Sequence, residues 1–262
     1  MDFSLEKKIS IVTGCNGLLG TFHCEALSNA GAFVVGIDVD EKLNEKNKFV
    51  DKYFSGDVTD KESLININDV ILDDFSSIDI LVNNAAINDM VENNDGNINL
   101  SKFENFPLEV WQQGINVNIT GVFLCCQIFG KSMTLSGGGS IINIGSTYGL
   151  VGPDQNIYKN DKGEQSFFKG PIYPASKGAV TNFTRYLAAY WGNKNIRVNT
   201  LSPGGVKNNQ DETFIKKYSE KTLLGRMADP ADYQGALIFL ASDASKYMTG
   251  SNLIVDGGWT SI

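Results

Sequence analysis

A short apolar run at residues 9–13 passes directly into Thr13-Gly14-Cys15-Asn16-Gly17-Leu18-Leu19-Gly20, and a helical pattern follows without a break. Strand, glycine turn and helix in immediate succession leave few ways to fold. The strand needs neighbours for its backbone groups, and the helix must bury one face on the resulting sheet. The helix also returns the chain to the end where the first strand began. The next strand therefore runs parallel to it.

The rest of the chain repeats this unit. Apolar runs at 33–38, 53–55, 78–82, 140–144, 196–201 and 253–255 predict six further strands. Periodicity predicts helices over 18–30, 61–75, 108–133 and 174–192. Leu64, Ile67, Ile71 and Phe75 mark one helical stripe, and Val180, Phe183, Leu187 and Tyr190 another. Such alternation implies an α/β fold: a single-domain, doubly wound (Rossmann-type) parallel sheet of about seven strands with helices on both faces. Neither a short repeat nor a linker divides residues 1–262. Two polar segments break the rhythm. One, at 87–107, carries Asn88, Asn93, Asn94, Asn97 and Asn99; the other, at 152–171, carries Asp154, Lys159, Asp161, Lys162 and Lys169. Both follow strands, which puts them at the edge where such sheets bind ligands.

Composition excludes several classes. A net charge of −8 disfavours duplex nucleic acid and anionic membranes as partners. The opening MDFSLEKKIS lacks the apolar core of a secretion signal. No apolar run approaches the roughly 20 residues of a membrane span. Cys15, Cys24, Cys125 and Cys126 form neither a C-x-x-C pair nor a disulfide framework, so a reducing cytoplasm is the simple expectation. The only histidine, His23, falls on the first helix; a multi-histidine metal site is excluded, and a structural or solvated role is expected.

The glycine loop has the strand-before, helix-after context of a dinucleotide fingerprint. Gly14 permits the tight turn, Gly17 lets backbone approach a pyrophosphate, and Gly20 allows close helix–strand packing, with Asn16, Leu18 and Leu19 filling the loop between them. Asp38 ends the second strand, where a carboxylate binds adenosine ribose hydroxyls. Asp57, beside Val58, either accepts from the adenine amino group or caps the helix that starts near Thr59 or Asp60. Asn83-Asn84-Ala85-Ala86 puts small residues beyond a strand end, where backbone passes close to a cofactor.

Tyr173 and Lys177 stand one helical turn apart in YPASK, downstream of Ser146. A phenol near pKa 10 is a poor acid or base at neutrality. A neighbouring ammonium favours the phenolate, and the tyrosine then exchanges a proton with an alcohol or carbonyl oxygen that the serine also holds. Beside a nicotinamide, that is hydride chemistry. A second Tyr-x-x-x-Lys, Tyr158 to Lys162, sits in the loop-like KNDKG and has no helical frame. Asn118 is a polar residue in an apolar helix: either it accompanies a bend that holds a water, or it is simply satisfied within the core.

TGCNGLLG, GDV, NNAA, the Asn118 segment, Ser146, YPASK, Ser202-Pro203-Gly204-Gly205 and Val255-Asp256-Gly257-Gly258-Trp259 together resemble the short-chain dehydrogenase/reductase family, classical type, over essentially the whole chain. The resemblance implies that Asn118, Ser146, Tyr173 and Lys177 match a catalytic tetrad. It implies that Lys177 also binds the nicotinamide ribose beside Tyr173, and that a water near Asn118 completes a proton relay. It places Pro203, Gly204 and Val206 along the cofactor. There are departures: the glycine spacing is closer to extended members, Val206-Lys207-Asn208 replaces the usual threonine after the Pro-Gly turn, and the interval from Ser146 to Tyr173 is long. With the Asn-rich segment, TRYLA and SPGG, the chain is also similar to flagellin-modification sugar oxidoreductases.

These observations make the chain one dinucleotide-binding and catalytic domain that interconverts a secondary alcohol and a ketone. NAD(H) is favoured, since acids follow Asp38 and no Lys or Arg lies between Gly14 and Asp40; NADP(H) stays open. The expected small-molecule substrate is a sugar or nucleotide sugar, because both polar segments would rim its pocket. The alternatives are an acyl or small-carbonyl reductase and a non-catalytic dinucleotide-binding protein. Residues 207–221 are expected to form a lid, and the two long helices a homodimer or homotetramer interface.

Overall fold

The structure is a computed structural model and describes residues 3–88 and 98–262. Asn93, Asn94 and Asn97 of the first polar segment lie outside the described residues. The strands are β1 (Ile9–Thr13), β2 (Phe33–Asp38), β3 (Lys52–Ser55), β4 (Ile80–Asn83), β5 (Gly139–Ile144), β6 (Ile196–Pro203) and β7 (Asn252–Val255). They form one all-parallel sheet in the order β3-β2-β1-β4-β5-β6-β7. All of β1 and β4 is buried, as strands covered on both faces must be. The order reverses between β1 and β4, so the crevice beyond their carboxyl ends is the ligand position of this topology.

The helices are α1 (Leu18–Asn29), α2 (Lys61–Phe75), α3 (Ile98–Ser101), α4 (Leu108–Ile115), α5 (Val122–Ser136), α6 (Ile172–Trp191), α7 (Glu212–Ser219) and α8 (Gln234–Ala241). One core lies between the sheet and α2, α5 and α6, and includes Ile71, Phe129, Met133 and Trp191. A second lies under α1 and α8, around Leu27, Val34 and Leu237. A third, smaller cluster of Ile157, Tyr158, Tyr218, Met227 and Trp259 draws on the second polar segment, α7 and the C-terminal turn. The four cysteines are buried free thiols. His23 is buried rather than solvated, and burial lowers its pKa to about 4.

The helix expected over 108–133 is not continuous. Between α4 and α5 the chain makes a π-helical turn over Asn116–Gly121. Inside it, Asn118 accepts from Ile87 N–H (2.8 Å) and donates to Ile87 C=O (3.0 Å) and to Ser176 Oγ (3.1 Å). The bend is present, and its amide is satisfied by protein groups, which stitch the chain after β4 to the first turns of α6. Glycines set how closely this rod packs. A Cβ on Gly114 would lie 2.2 Å from Ile172, and one on Gly130 would lie 2.4 Å from Trp191. Leu108–Ser136 is long and apolar enough by composition to cross a bilayer, contrary to the expectation from apolar runs. Many of its apolar side chains are spent on the sheet instead, with Leu124, Cys125, Ile128 and Phe129 all buried, while Leu108, Phe123 and Leu135 stay exposed.

A buried polar chain holds α6 on the sheet. Asn83 donates to Asn143 (2.8 Å), Asn143 to Thr184 (2.9 Å), and Thr200 also bonds Thr184 (2.9 Å). α6 begins at Ile172, earlier than the proline suggests. Pro174 is tolerated because first-turn N–H groups have no intrahelical partner.

One cap differs from expectation. Asp60 caps α2, accepting from the N–H groups of Glu62 (3.0 Å) and Ser63 (3.2 Å). Asp57 instead accepts from Thr59 N–H and Oγ1, both at 2.8 Å, so it shapes the turn and does not cap the helix. Asp60→Ala is therefore expected to cost about 1 kcal/mol and to lower Tm by roughly 2–4 °C. Asp57→Ala should leave Tm within about a degree of the parent by the same reasoning. Thermal unfolding of both variants without cofactor checks the assignment.

Candidate active site

The glycine loop lies at the β1/β4 switch point. Gly14 has φ +66°, and a Cβ there would come within 2.8 Å of Ala85 Cα. A Cβ on Gly20 would sit 2.0 Å from the Gly14 carbonyl oxygen, so α1 packs against the turn only because position 20 is bare. Thr13 Oγ1 accepts from the N–H groups of Asn84 and Ala85, both at 3.1 Å, while the Asn84 amide donates to the Thr13 and Gly14 carbonyls, both at 3.0 Å. Gly17 and Leu18 are exposed at the start of α1, and Leu19 is partly so. Ala86 is exposed just beyond Ala85.

Asp38 stands at the end of β2. One carboxylate oxygen accepts Asn16 N–H at 2.9 Å. The Asn16 side chain donates to Asp40 (2.9 Å) and to the Lys42 carbonyl (3.0 Å), and accepts from Asn44 N–H (2.9 Å). Two carboxylates thus flank the strand end. Val58 is buried against Gly121, and Asp57 beside it is exposed. The bare turn at Gly14, the exposed start of α1 at Gly17 and the carboxylate at Asp38 fit a dinucleotide: pyrophosphate at the turn, adenosine ribose at the acid.

The residues expected to transfer a proton meet at the adjacent strand end. Tyr173 is half-buried on the first turn of α6. Lys177, one turn on, is only 4 % exposed. Its Nζ lies 5.6 Å from the centre of the Tyr173 ring and donates to the Ile144 carbonyl at 2.7 Å. Burial lowers the Lys177 pKa to about 8. Ser146 follows β5, and its Oγ accepts Tyr148 N–H at 3.1 Å. That bond occupies a lone pair and leaves the hydroxyl proton to donate.

Ser146 and Tyr173 line a cleft of about 1000 Å³, together with Leu18, Leu19, Pro203, Gly204 and Val206. Both polar segments contribute walls, including Asn88 and Ser101 from the first and Tyr158, Asp161 and Phe167 from the second. Lys162 is exposed in a turn, whereas Tyr158 is buried. It ends a short 3-10 helix, Gln155–Tyr158, and packs on Phe167 (4.8 Å) and Phe214 (5.5 Å). Its hydroxyl meets that of Tyr148 at 3.0 Å.

The expected lid, 207–221, contains α7 and is fastened to the second polar segment. Lys221 bridges Asp154 at 2.5 Å, Thr213 bonds Asp161, and Lys217 bonds the Lys159 carbonyl. The Lys221 hydrogen bond holds the Asp154 carboxyl below the usual carboxylate range. Two cleft residues, among others, had no role in the sequence reading. Tyr148 is one; two residues after Ser146, it was visible only as a neighbour. The other is Lys169, counted among loop lysines, although it stands one turn's spacing before Tyr173.

The sequence profile of the short chain dehydrogenases matches residues 8–219. The chain belongs to that family. D-threitol dehydrogenase of Mycolicibacterium smegmatis is 32% identical over 99% of this chain and 95% of the relative. Among solved structures, a short chain dehydrogenase from Leptospira borgpetersenii with bound NAD+ superposes with a TM-score of 0.85 at 32% identity, covering 97% of this chain and 93% of that one. A gluconate 5-dehydrogenase from Burkholderia cenocepacia, in complex with NADP and tartrate, gives 0.84 at 28% identity, covering 100% and 98%. The protein is an oxidoreductase of this family. It uses a nicotinamide cofactor to interconvert an alcohol and a carbonyl compound.

Proposed function

We propose that this short-chain dehydrogenase interconverts a secondary hydroxyl and a ketone on a polyhydroxylated substrate, with NAD(H) as cofactor. The observation that carries this reading is Tyr173 beside the buried ammonium of Lys177, facing a cleft whose other walls are rich in hydrogen-bonding side chains. The nicotinamide, when bound, supplies the hydride acceptor or donor.

In the oxidative direction, Tyr173 takes the hydroxyl proton as phenolate. Lys177 favours that phenolate through its charge and, as the family resemblance implies, would also bind the nicotinamide ribose. Ser146 donates to the substrate oxygen. Asn118 keeps the π turn and α6 in register through Ile87 and Ser176. Gly14, Asn16, Gly17, Leu18, Leu19 and Gly20 would hold the pyrophosphate, Asp38 the adenosine ribose, and Asp57 with Val58 the adenine. Asn84, Ala85, Ala86, Pro203, Gly204 and Val206 would flank the nicotinamide half.

The relatives named above include a polyol dehydrogenase and a sugar-acid dehydrogenase. Both fit the cleft's polarity, as does the resemblance to flagellin-modification sugar oxidoreductases. Asn88, Asn208, Asn209 and Gln210 offer amides to a polyhydroxylated substrate, beside apolar walls of Ile157, Phe167, Phe214 and Met227. A purely sensing protein has no use for Tyr173 and Lys177 together.

NAD(H) preference rests on Asp38 and Asp40, which a 2′-phosphate would have to face. The proposed homodimer or homotetramer rests on an exposed aromatic row. Tyr186 (60 %) and Tyr190 (63 %) lie on α6 with rings 6.1 Å apart, continuous with Phe183 and, 6.3 Å beyond it, Phe123 of α5.

Three outcomes are expected. On a panel of polyols, sugar acids and their keto forms, Tyr173→Phe should lose about 10²–10⁴-fold in kcat with cofactor affinity kept, whereas Tyr158→Phe stays within a few-fold. A parent protein that turns over none of the panel would sink the reading. kcat/KM should favour NAD+ over NADP+ by at least about tenfold, the factor given by 1.4 kcal/mol, and Asp38→Ala should shrink the gap. Light scattering should report an oligomer that Tyr186→Glu with Tyr190→Glu dissociates; a parent monomer at micromolar concentration would refute the interface.

A further inference from the structure

Two tyrosine hydroxyls meet on a single peptide unit at the wall of the cleft. The Gly204–Gly205 peptide follows β6, where the chain turns past Pro203. Its carbonyl, on Gly204, accepts the Tyr233 hydroxyl at 3.1 Å. Its N–H, on Gly205, donates to the Tyr218 hydroxyl at 2.5 Å. The polar groups on either side are tied to backbone. Gly204 N–H donates to the Val255 carbonyl at 2.9 Å, and the Gly205 carbonyl accepts Ala228 N–H at 3.0 Å. The peptide between them is the one held by side chains. Glycine flanks it at both ends, so its plane can turn at little steric cost. A side cavity of about 150 Å³, lined by Arg226 and Tyr233 among others, lies beside it and gives it room.

The two hydroxyls come from different parts of the fold. Tyr233 is fully buried in the turn that leads into α8. Tyr218 lies on α7 and is 3 % exposed. Its ring stacks on Trp259 with centres 4.1 Å apart, and it covers the bare face of Gly205, where a Cβ would come within 2.4 Å of it. α7 is seated in turn by the second polar segment, through Lys221 on Asp154, Thr213 on Asp161, Lys217 on the Lys159 carbonyl and Phe214 on Tyr158. Burial raises the pKa of both phenols, so each stays protonated at ordinary pH. A neutral phenol can accept from an N–H or donate to a carbonyl, and takes no part in proton transfer here.

We propose that Tyr218 and Tyr233 are positioning residues that jointly fix the Gly204–Gly205 peptide, so that the seating of α7 sets the nicotinamide side of the cleft. The inference rests on the placement of Pro203, Gly204 and Val206 along the nicotinamide half under the proposed function. With Tyr218 in place, the peptide presents one fixed edge to the ring. Without its hydroxyl, Gly205 N–H loses its acceptor, and that loss favours other orientations of the peptide. The adenosine half, at Gly14 and Asp38 across the switch point, is left as it was.

The test compares NADH with ADP-ribose, which keeps the adenosine, the pyrophosphate and the second ribose but lacks the nicotinamide ring. Dissociation constants are measured on the full chain by titration calorimetry, without turnover. Tyr218→Phe keeps the stacked ring and removes only the oxygen. It should weaken NADH by about tenfold and ADP-ribose by less than about twofold, and Tyr233→Phe should do the same. Because both hydroxyls hold one peptide, the double variant should bind NADH within about threefold of the weaker single variant. Thr213→Val, Lys217→Met and Lys221→Met combined cut the polar ties of α7. They should weaken NADH selectively in the parent and add less than about twofold to Tyr218→Phe. In Tyr218→Phe kcat should fall while its pH profile keeps its position. Should Tyr218→Phe fail to fold, as its Tm would show, Tyr233→Phe and the cut ties decide. The proposal is overturned if a folded Phe variant weakens both ligands equally or neither, if the two losses multiply, if the cut ties leave NADH unchanged or add in full, or if the pH profile shifts. A parent that binds NADH no more tightly than ADP-ribose would overturn the nicotinamide placement and the proposal with it. Failure confined to the variants would leave that placement standing.

Discussion

The close approach of two backbones at the carboxyl ends of β1 and β4 is the constraint on which the rest depends. Thr13 turns its hydroxyl to the N–H groups of Asn84 and Ala85, and Gly14 leaves no room for a Cβ beside Ala85. The two strands are thereby held together where the sheet's order reverses. α1 can begin at once only because Gly20 brings no side chain against the Gly14 carbonyl. The crevice for a dinucleotide is a by-product of this packing, and Asp38 and Tyr173 stand on either side of it because β2 and α6 are placed by the same sheet.

The second half of the site depends on burial of charge. Lys177 is placed by a hydrogen bond to Ile144 and by the polar chain through Asn83, Asn143, Thr184 and Thr200 that anchors α6. Desolvation brings its pKa down towards neutrality, so its proton is held less firmly than that of a surface lysine. Ser146 is held by a local bond: Tyr148 N–H donates to its oxygen, which leaves its proton available at the cleft.

Much of this was legible in the sequence because its causes are local. Continuous apolar runs mark strands buried on both faces, and Gly14, Gly20 and the Tyr173–Lys177 spacing state their geometry directly. What was not legible depends on contacts between distant residues. Asp57 and Asp60 are equally placed to cap a helix on paper, and only the turn at Thr59 decides between them. The π turn at Asn118 is hidden because its neighbours are as apolar as those of an ordinary core helix; Ile87 and Ser176 reveal it. Lys169 reads as one more loop lysine until the Gln155 side chain is seen to hold its backbone. Tyr158 and Lys162 share a spacing with Tyr173 and Lys177, but an aromatic cluster takes the tyrosine and solvent takes the lysine.

The π turn also leaves a mark on the chain's numbering. A helix that makes such a turn carries one residue more than its α-helical ladder needs, and each residue advances a helix by about 100°. The apolar face of α5 is therefore out of phase with that of α4, and the pattern of Val122, Leu124, Cys125 and Phe129 is written for the shifted phase. Straightening Asn116–Gly121 into an ordinary helix with every residue kept would rotate this whole face off the sheet by about 100°, whereas excising the surplus residue as well would leave it in phase. The bend is locked into the chain's length: the turn cannot be straightened without either losing a residue or rewriting α5.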